Sequence, residues 1–452
     1  MYSSETTIAA LTTPPGRGGV GIIRVSGELA LTIAHDMLHF SPKPRYAHYT
    51  AFFDQHKNII DQGIALYFKS PHSFTGEDIV EFHAHGGPIV LDILLRRIIE
   101  LGAKPAEPGE FSYRAFLNNK IDLAQAEAIA DLISASTEVA TRSAQSSLQG
   151  DFSRQINQFT DEIIALRTYV EAMLDFPDEE VDFLSSGKIK EKISDLLQRL
   201  DTIYKASQQG SLLREGMKVV IAGKPNAGKS SLLNQLAGRD LAIVTPIAGT
   251  TRDVLQEYIH LDGMPLHLVD TAGLREKADV VEQEGIRRAL IQIKEADSVL
   301  LLVDSTENSS TNPADLWPHT KDCPPDDKII IIHNKVDLIG KEPQLDYNGI
   351  IPVIKLSAKK GTGIDLLKNL LKKKMGYISG DGVLMARRRH LTAIATAVTH
   401  VKTAHDLLDK NEGSEFVAEE LRLAQESLSS ITGKFTSDDL LGEIFSSFCI
   451  GK

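Results

Sequence analysis

Gly223-Lys224-Pro225-Asn226-Ala227-Gly228-Lys229-Ser230 stands between the Val- and Ile-rich run Lys218 to Ala222 and the helical run Ser231 to Leu236. A short bounded apolar run reads as a buried strand, so the spacing predicts strand, loop and helix in succession. In that setting a GxxxxGKS loop lets backbone N–H groups close around phosphates. Lys229 then supplies a point charge to the terminal phosphates, and the Ser230 hydroxyl can enter a Mg²⁺ shell. Asn226, Ala227, Gly228 and Ser231 complete the phosphate-binding stretch. The surrounding domain is therefore expected to be an open α/β sheet with its ligand at the carboxyl ends of the strands.

Three stretches further along the chain meet the same requirement. Leu266 to Val269 reads as a strand and runs into Asp270-Thr271-Ala272-Gly273. There a carboxylate can hold Mg²⁺ through water and the Gly273 N–H can reach a γ-phosphate. After a further strand-like run, Ser298 to Val303, comes Ile329 to Ile332, which leads into Asn334-Lys335-Val336-Asp337; Val353 to Leu356 leads into Ser357-Ala358-Lys359, a loop suited to backing a base. Asp337 is the base reader: guanine offers N1–H and an exocyclic amine to one carboxylate, an edge that adenine lacks. A site built for such hydrogen bonds rejects an analogue lacking them by roughly 10⁴–10⁵. The four motifs, in this order, imply GTP.

Between the phosphate loop and Asp270 lies Val244-Thr245-Pro246-Ile247-Ala248-Gly249-Thr250-Thr251-Arg252-Asp253, a polar segment that reads as a first switch, with Thr251 for Mg²⁺. Many small GTPases orient the attacking water with a Gln directly after this DTAG-type motif, but here that position is Leu274, which can neither donate nor accept. Arg252 and Arg275 are candidate fingers and Glu276 and Glu282 candidate water-positioning acids; spacing alone does not separate them.

The 452 residues exceed one ordinary core, so two to four domains are expected. Formal charge is −12, without the basic field of a dedicated nucleic-acid binder, so any RNA contact needs a local patch. Lys372-Lys373-Lys374 and Arg387-Arg388-Arg389-His390 are the most evident ones. The two cysteines, Cys323 and Cys449, form no CxxC pair, which argues against a disulfide framework or a zinc site. No apolar run reaches the ~18 residues of a membrane span, and the chain reads as cytoplasmic. His83 and His85 alternate along a strand-like stretch without a ligand cluster of metal spacing, so no metal site is read there. Gly16 to Gly21 matches GxGxxG, but a strand follows it where a dinucleotide site needs a helix.

Residues 1–118 alternate short β-rich runs, such as 20–25 and 64–68, with a helical stretch at 89–101. Apolar residues then recur at helical spacing from 121 to about 213, and again from 391 to 408 and 415 to 428. The simplest architecture is an α+β N-terminal domain (1–118) and a helical domain in two parts (119–215 and 376–452), with an α/β domain inserted at 216–375.

At this point the chain resembles the MnmE (TrmE) family of tRNA-modification GTPases from end to end. The resemblance rests on Pro14 to Gly21, Phe74-Thr75-Gly76-Glu77-Asp78, Pro108-Gly109-Glu110-Phe111 and the terminal Cys449-Ile450-Gly451-Lys452, besides the nucleotide motifs. It implies a Ras-like P-loop G domain with a mostly parallel sheet, inserted into the helical domain. It implies an N-terminal domain that forms a homodimer and binds 5-formyltetrahydrofolate or a related folate, with Arg24, Glu81, Lys120 and Lys452 at folate-contacting positions. It further implies a flavin-dependent partner of the MnmG (GidA) family, in a heterotetramer that modifies C5 of the wobble uridine of certain tRNAs. By the same resemblance Asn226, Thr245, Ile247 and Thr250 hold K⁺, Pro246, Ala248 and Gly249 belong to the GTP-binding switch, and Glu282 positions the attacking water. Cys449 matches a terminal cysteine suspected of a part in the modification, although a Cys between Phe448 and Ile450 is more often a small buried apolar residue. The rival reading is a regulatory ribosome-assembly GTPase of the Era or Der type. Neither a KH-type GxxG loop at the C-terminus nor a second G domain is seen, and the N-terminal stretches and the Cys449 tail decide for modification.

Overall fold

The computed structural model describes residues 6–175, 186–237, 256–261, 264–270, 293–317, 323–375, 384–410, 414–434, 438–446, 448 and 451. The chain divides into two compact units, one of Met1–Ile133, Gln145–Leu200 and Thr392–Lys452, the other of Ser134–Ala144 and Asp201–Leu391.

The first unit carries strands β1 (Ile8–Leu11), β2 (Gly21–Ser26), β3 (His48–Phe53), β4 (Ile59–Phe68), β5 (Ile79–Ala84) and β6 (Lys104–Pro105), in the order β3-β4-β5-β2-β1-β6. All neighbours are antiparallel except β1 and β6. Side chains alternate across a pleated strand, so Ile23 and Val25 of β2 point into a core that also holds Phe52 and Phe82. Helices Ala30–Leu38 and Pro88–Glu100 cover that face with Ile33, Met37, Leu94 and Ile98. Each such fully buried side chain contributes about 1.5–3 kcal/mol. Ile8 and Ala10 of β1 point the other way and meet Phe111 of helix Glu110–Leu117, which therefore lies on the opposite face.

The two helical stretches that flank the α/β segment in sequence meet in this unit. Helix Asp151–Asp175 packs along Ser414–Thr432, and Arg167 Nη1 donates to Gln425 Oε1 at 2.7 Å. Phe445 of helix Asp438–Ser446 stands edge-on to Tyr113, ring centres 5.2 Å apart. The chain end then returns to the sheet: a Cβ on Gly451, whose φ is +95°, would lie 2.5 Å from the Leu11 carbonyl. Only glycine passes there.

The second unit holds β7 (Met217–Gly223), β8 (Gln256–Leu261), β9 (Met264–Asp270), β10 (Ser298–Asp304), β11 (Ile329–Asn334), β12 (Gln344–Asn348) and β13 (Ile351–Lys355), ordered β12-β13-β11-β10-β7-β9-β8. Four pairs are parallel and the two edge pairs antiparallel, giving the mostly parallel sheet expected. Val219 and Ile221 of β7 enter one core with Leu232 and Leu371, while Val220 and Ala222 enter the other with Val299 and Trp317. Burial on both faces explains why these strands read as continuous apolar runs. Edge strands β8 and β12 lack that pattern and escape the sequence reading, as do β1 and β3. Among the described residues no helix is long and apolar enough to cross a membrane.

Candidate functional site

The parallel strands of the second unit end together at Gly223, Asp270, Asp304 and Asn334, because neighbouring register places Asp304 beside Asn334 and Asp270 beside Ile221. The loop after β7 turns through Asn226 at φ +61° into helix Lys229–Ala237, whose first N–H groups have no partner within the helix. Such a helix start favours phosphate. Lys229 Nζ donates to the carbonyls of Gly223 at 2.8 Å and Lys224 at 2.9 Å, which holds its charge over the loop. Ser230 and Asn226 are exposed, so a hydroxyl and an amide oxygen, both hard ligands for Mg²⁺ or K⁺, stand at the surface beside that helix start.

Asn334, 2% exposed, joins the loops: its Nδ2 donates to the Ala227 carbonyl at 2.8 Å and its Oδ1 accepts from the Ala358 N–H at 2.8 Å. Gly228 allows this approach, since a Cβ there would lie 2.2 Å from Asn334 Nδ2. Lys335, in the left-handed region at φ +64°, reaches back to Asp304 Oδ2 at 2.5 Å. Burial opposes the charge of Asp304, but the Lys335 ammonium and Thr306 outweigh it and hold its carboxyl below the usual range. Asp337 is held low by the Ser357 hydroxyl, then by the nearby charges of Lys360 and Lys359. It is thus an ionised acceptor at neutral pH, suited to a two-donor edge. The fold gathers Asn226, Ala227, Gly228, Lys229, Ser230, Ser231, Asn334, Lys335, Asp337, Ser357, Ala358 and Lys359 around the carboxyl ends of the parallel strands. Asp270 joins them by its backbone position. Thr245, Pro246, Ile247, Ala248, Gly249, Thr250, Thr251, Thr271, Ala272, Gly273 and Glu282 lie outside the described residues, as do Cys449 and Lys452. Asp304 was missed by the sequence reading, although it ends its strand as Asp270 does.

A second polar cluster lies in the first unit. Register sets Arg24 of β2 opposite Glu81 of β5, and the guanidinium meets Oε1 through Nε at 2.9 Å and Nη2 at 2.8 Å. The Arg24 guanidinium carbon also lies 5.5 Å from the Phe74 ring centre and 5.6 Å from that of Phe111. Burial would raise the Glu81 carboxyl, but His83 and Arg24 prevail and hold it below its ordinary value. Lys120, which follows helix Glu110–Leu117, reaches the loop that carries Phe74, donating to the Pro71 carbonyl at 2.9 Å. A carboxylate paired to a guanidinium that itself lies beside two phenyl rings could hold a heterocycle bearing an acidic tail. Strand β5 ends at Ala84, and His85 turns to Asp61, its N–H and ring Nδ1 each 2.8 Å from that carboxylate.

Beneath this cluster Arg114, 2% exposed, bonds Glu77 at 3.1 Å, Glu110 at 2.8 Å and the Thr6 carbonyl at 2.7 Å. Ser26 Oγ adds a 2.7 Å bond to Glu77. The stretches 74–78 and 108–111, singled out by sequence, are thus joined through one buried guanidinium that no pattern signalled.

The family model described as the MnmE helical domain matches residues 123–449, and that of the GTP-binding protein TrmE N-terminus matches residues 7–120. The tRNA modification GTPase MnmE of Proteus mirabilis is 57% identical over 455 residues, covering all of both chains. That of Yersinia pseudotuberculosis is 58% identical over 453 residues, again covering both completely. Among solved structures, the G domain of the T. maritima FeoB iron transporter aligns with 35% of this chain and 98% of its own at 24% identity and a TM-score of 0.24. The fold assignment rests on the sheet itself.

Proposed function

Because this chain belongs to the MnmE (TrmE) family of tRNA-modification GTPases, we propose that its GTP hydrolysis serves the modification of C5 of the wobble uridine in certain tRNAs. It acts with a flavin-dependent partner of the MnmG family in the cytoplasm, as a homodimer within a heterotetramer. Residues 1–118 form the folate-binding and dimerisation domain, 119–215 and 376–452 the helical domain, and 216–375 the G domain. The reading is carried by Asn334, which ties the phosphate loop to the 357–359 loop with Asp337 beside them.

In this reading Lys229 and the loop N–H groups bind phosphates, and Asp337 with Asn334, Lys335 and Ser357 to Lys359 selects guanine. Mg²⁺, held by Ser230 and Thr251, supplies charge neutralisation across the phosphates. K⁺, held by Asn226, Thr245, Ile247 and Thr250, adds positive charge beside them. Glu282 orients the attacking water, the task that Leu274 cannot perform. Pro246, Ala248, Gly249 and Asp270 to Gly273 complete the site. Arg24, Glu81, Lys120 and Lys452 hold 5-formyltetrahydrofolate or a related folate, and Cys449 takes part in the modification.

Mass analysis of wobble nucleosides tests this in a strain lacking the gene and complemented with the chain. Modified uridines should vanish on deletion, return with the wild type and stay absent with Asp337→Asn. Unchanged uridines in the deletion strain would instead favour a regulatory GTPase. Cys449→Ser should keep GTP hydrolysis while losing modification; equal loss of both would mark a structural role.

A further inference from the structure

We propose that His83 is a positioning residue of the candidate folate site, fixing the second oxygen of the Glu81 carboxylate; this rests on the folate reading above. Arg24 grips only Oε1, through two donors at 2.9 and 2.8 Å. Gripped there alone, the carboxylate can still swing about Oε1. The His83 ring stops that motion: its Nε2 donates to Oε2 at 3.3 Å, the only sense that an ionised carboxylate permits.

The strand itself makes the contact. Val80, Phe82 and Ala84 are buried on one face of β5, so Glu81 and His83, two residues apart, share the other, half-exposed face. The residues opposite His83 across the sheet, Ile22 on β2 and Ile64 on β4, offer no polar side chain. Among the described residues, Glu81 is the hydrogen-bond partner of the His83 ring. A two-donor heterocyclic edge gains from a carboxylate whose plane is already set, because ordering it at binding costs affinity.

Calorimetric titration of 5-formyltetrahydrofolate into the full chain tests the proposal, with His83→Leu and His83→Gln each made in wild-type and Glu81→Gln backgrounds. Losing a hydrogen bond to a charged group should weaken binding about three- to tenfold in His83→Leu. His83→Gln should stay within about twofold, since its amide N–H still donates. In the Glu81→Gln background, His83→Leu should add less than about twofold, because the residue acts through Glu81. Wild-type affinity in His83→Leu would overturn the positioning role and leave the folate reading standing, as would equal losses in His83→Leu and His83→Gln. A wild-type chain that does not bind the folate would remove both.

Discussion

The side-chain amide of Asn334 donates to the carbonyl of Ala227 at 2.8 Å, so the end of β11 is bolted to the phosphate loop. The same side chain accepts from the Ala358 N–H at 2.8 Å. Asn334→Ala strands both buried backbone groups at once. The expected loss is roughly 2–4 kcal/mol of stability, from two unsatisfied groups. Urea unfolding should show this together with weaker GTP binding; an unchanged midpoint would deny the tie its structural role.

Asp337→Asn exchanges one acceptor for a donor opposite guanine's two donors. GTP should bind far more weakly, by up to about 10⁴-fold, while xanthosine triphosphate, which presents an acceptor there, should gain. Competition binding with the two nucleotides decides it. Unaltered preference would mean that Asp337 does not read the base.

The difference between what the sequence declared and what it hid follows from burial. Strands β7, β10 and β11 are covered on both faces, so their apolar runs were unmistakable, and β7 and β11 end at motif residues. Edge strand β12 has one paired side and the burial of a surface segment, which erases its period. Asn334 and Asp337 were legible because they open and close one four-residue motif. Arg114 was not, because its partner Glu77 lies 37 residues away and only the course of the 70–78 loop brings the two charges together; nor was His83, whose bond to Glu81 depends on a ring orientation that no pattern signals.

Arg114→Met should be among the costliest substitutions in the first unit. It leaves Glu77, 16% exposed, and Glu110, 6% exposed, without their common cation. Breaking a buried pair from one side typically costs about 3–5 kcal/mol. Glu77→Gln should cost less, because its amide still meets Ser26 and the guanidinium keeps Glu110. Equal melting temperatures for Arg114→Met and wild type would contradict the network.

His333, buried in β11, is pushed below its ordinary 6.5 by burial, and His267 on β9 likewise. Their folded values are depressed, so the unfolded chain takes up protons first as the medium acidifies. Stability from this source is full above about 6.5 and falls as pH drops through the folded values. Unfolding midpoints should therefore decline between about pH 7.5 and pH 5.5, and His333→Gln should flatten that decline. A slope identical to the wild type would rule His333 out as a contributor.

The last prediction concerns hydrolysis without a glutamine at Leu274. Neutralising the transition state requires positive charge near the phosphates, worth roughly 10³–10⁵ in rate when an arginine supplies it. Asn226, exposed and held at φ +61° on the loop, offers an amide oxygen beside the start of helix Lys229–Ala237. Asparagine tolerates that left-handed backbone better than most residues, so the conformation is retained without a glycine. A bare cation seated there can take the place of a finger's charge. GTP turnover should then rise in K⁺ over Na⁺ at equal ionic strength. Asn226→Ala should abolish the difference while leaving GTP affinity nearly intact, and Glu282→Ala should slow hydrolysis in either salt without weakening binding. Parallel measurements of nucleotide affinity and single-turnover rate separate these outcomes. A wild-type rate indifferent to K⁺ would remove the cation and return the transition-state charge to Arg252 or Arg275, whose replacement by alanine would then have to slow the chemical step.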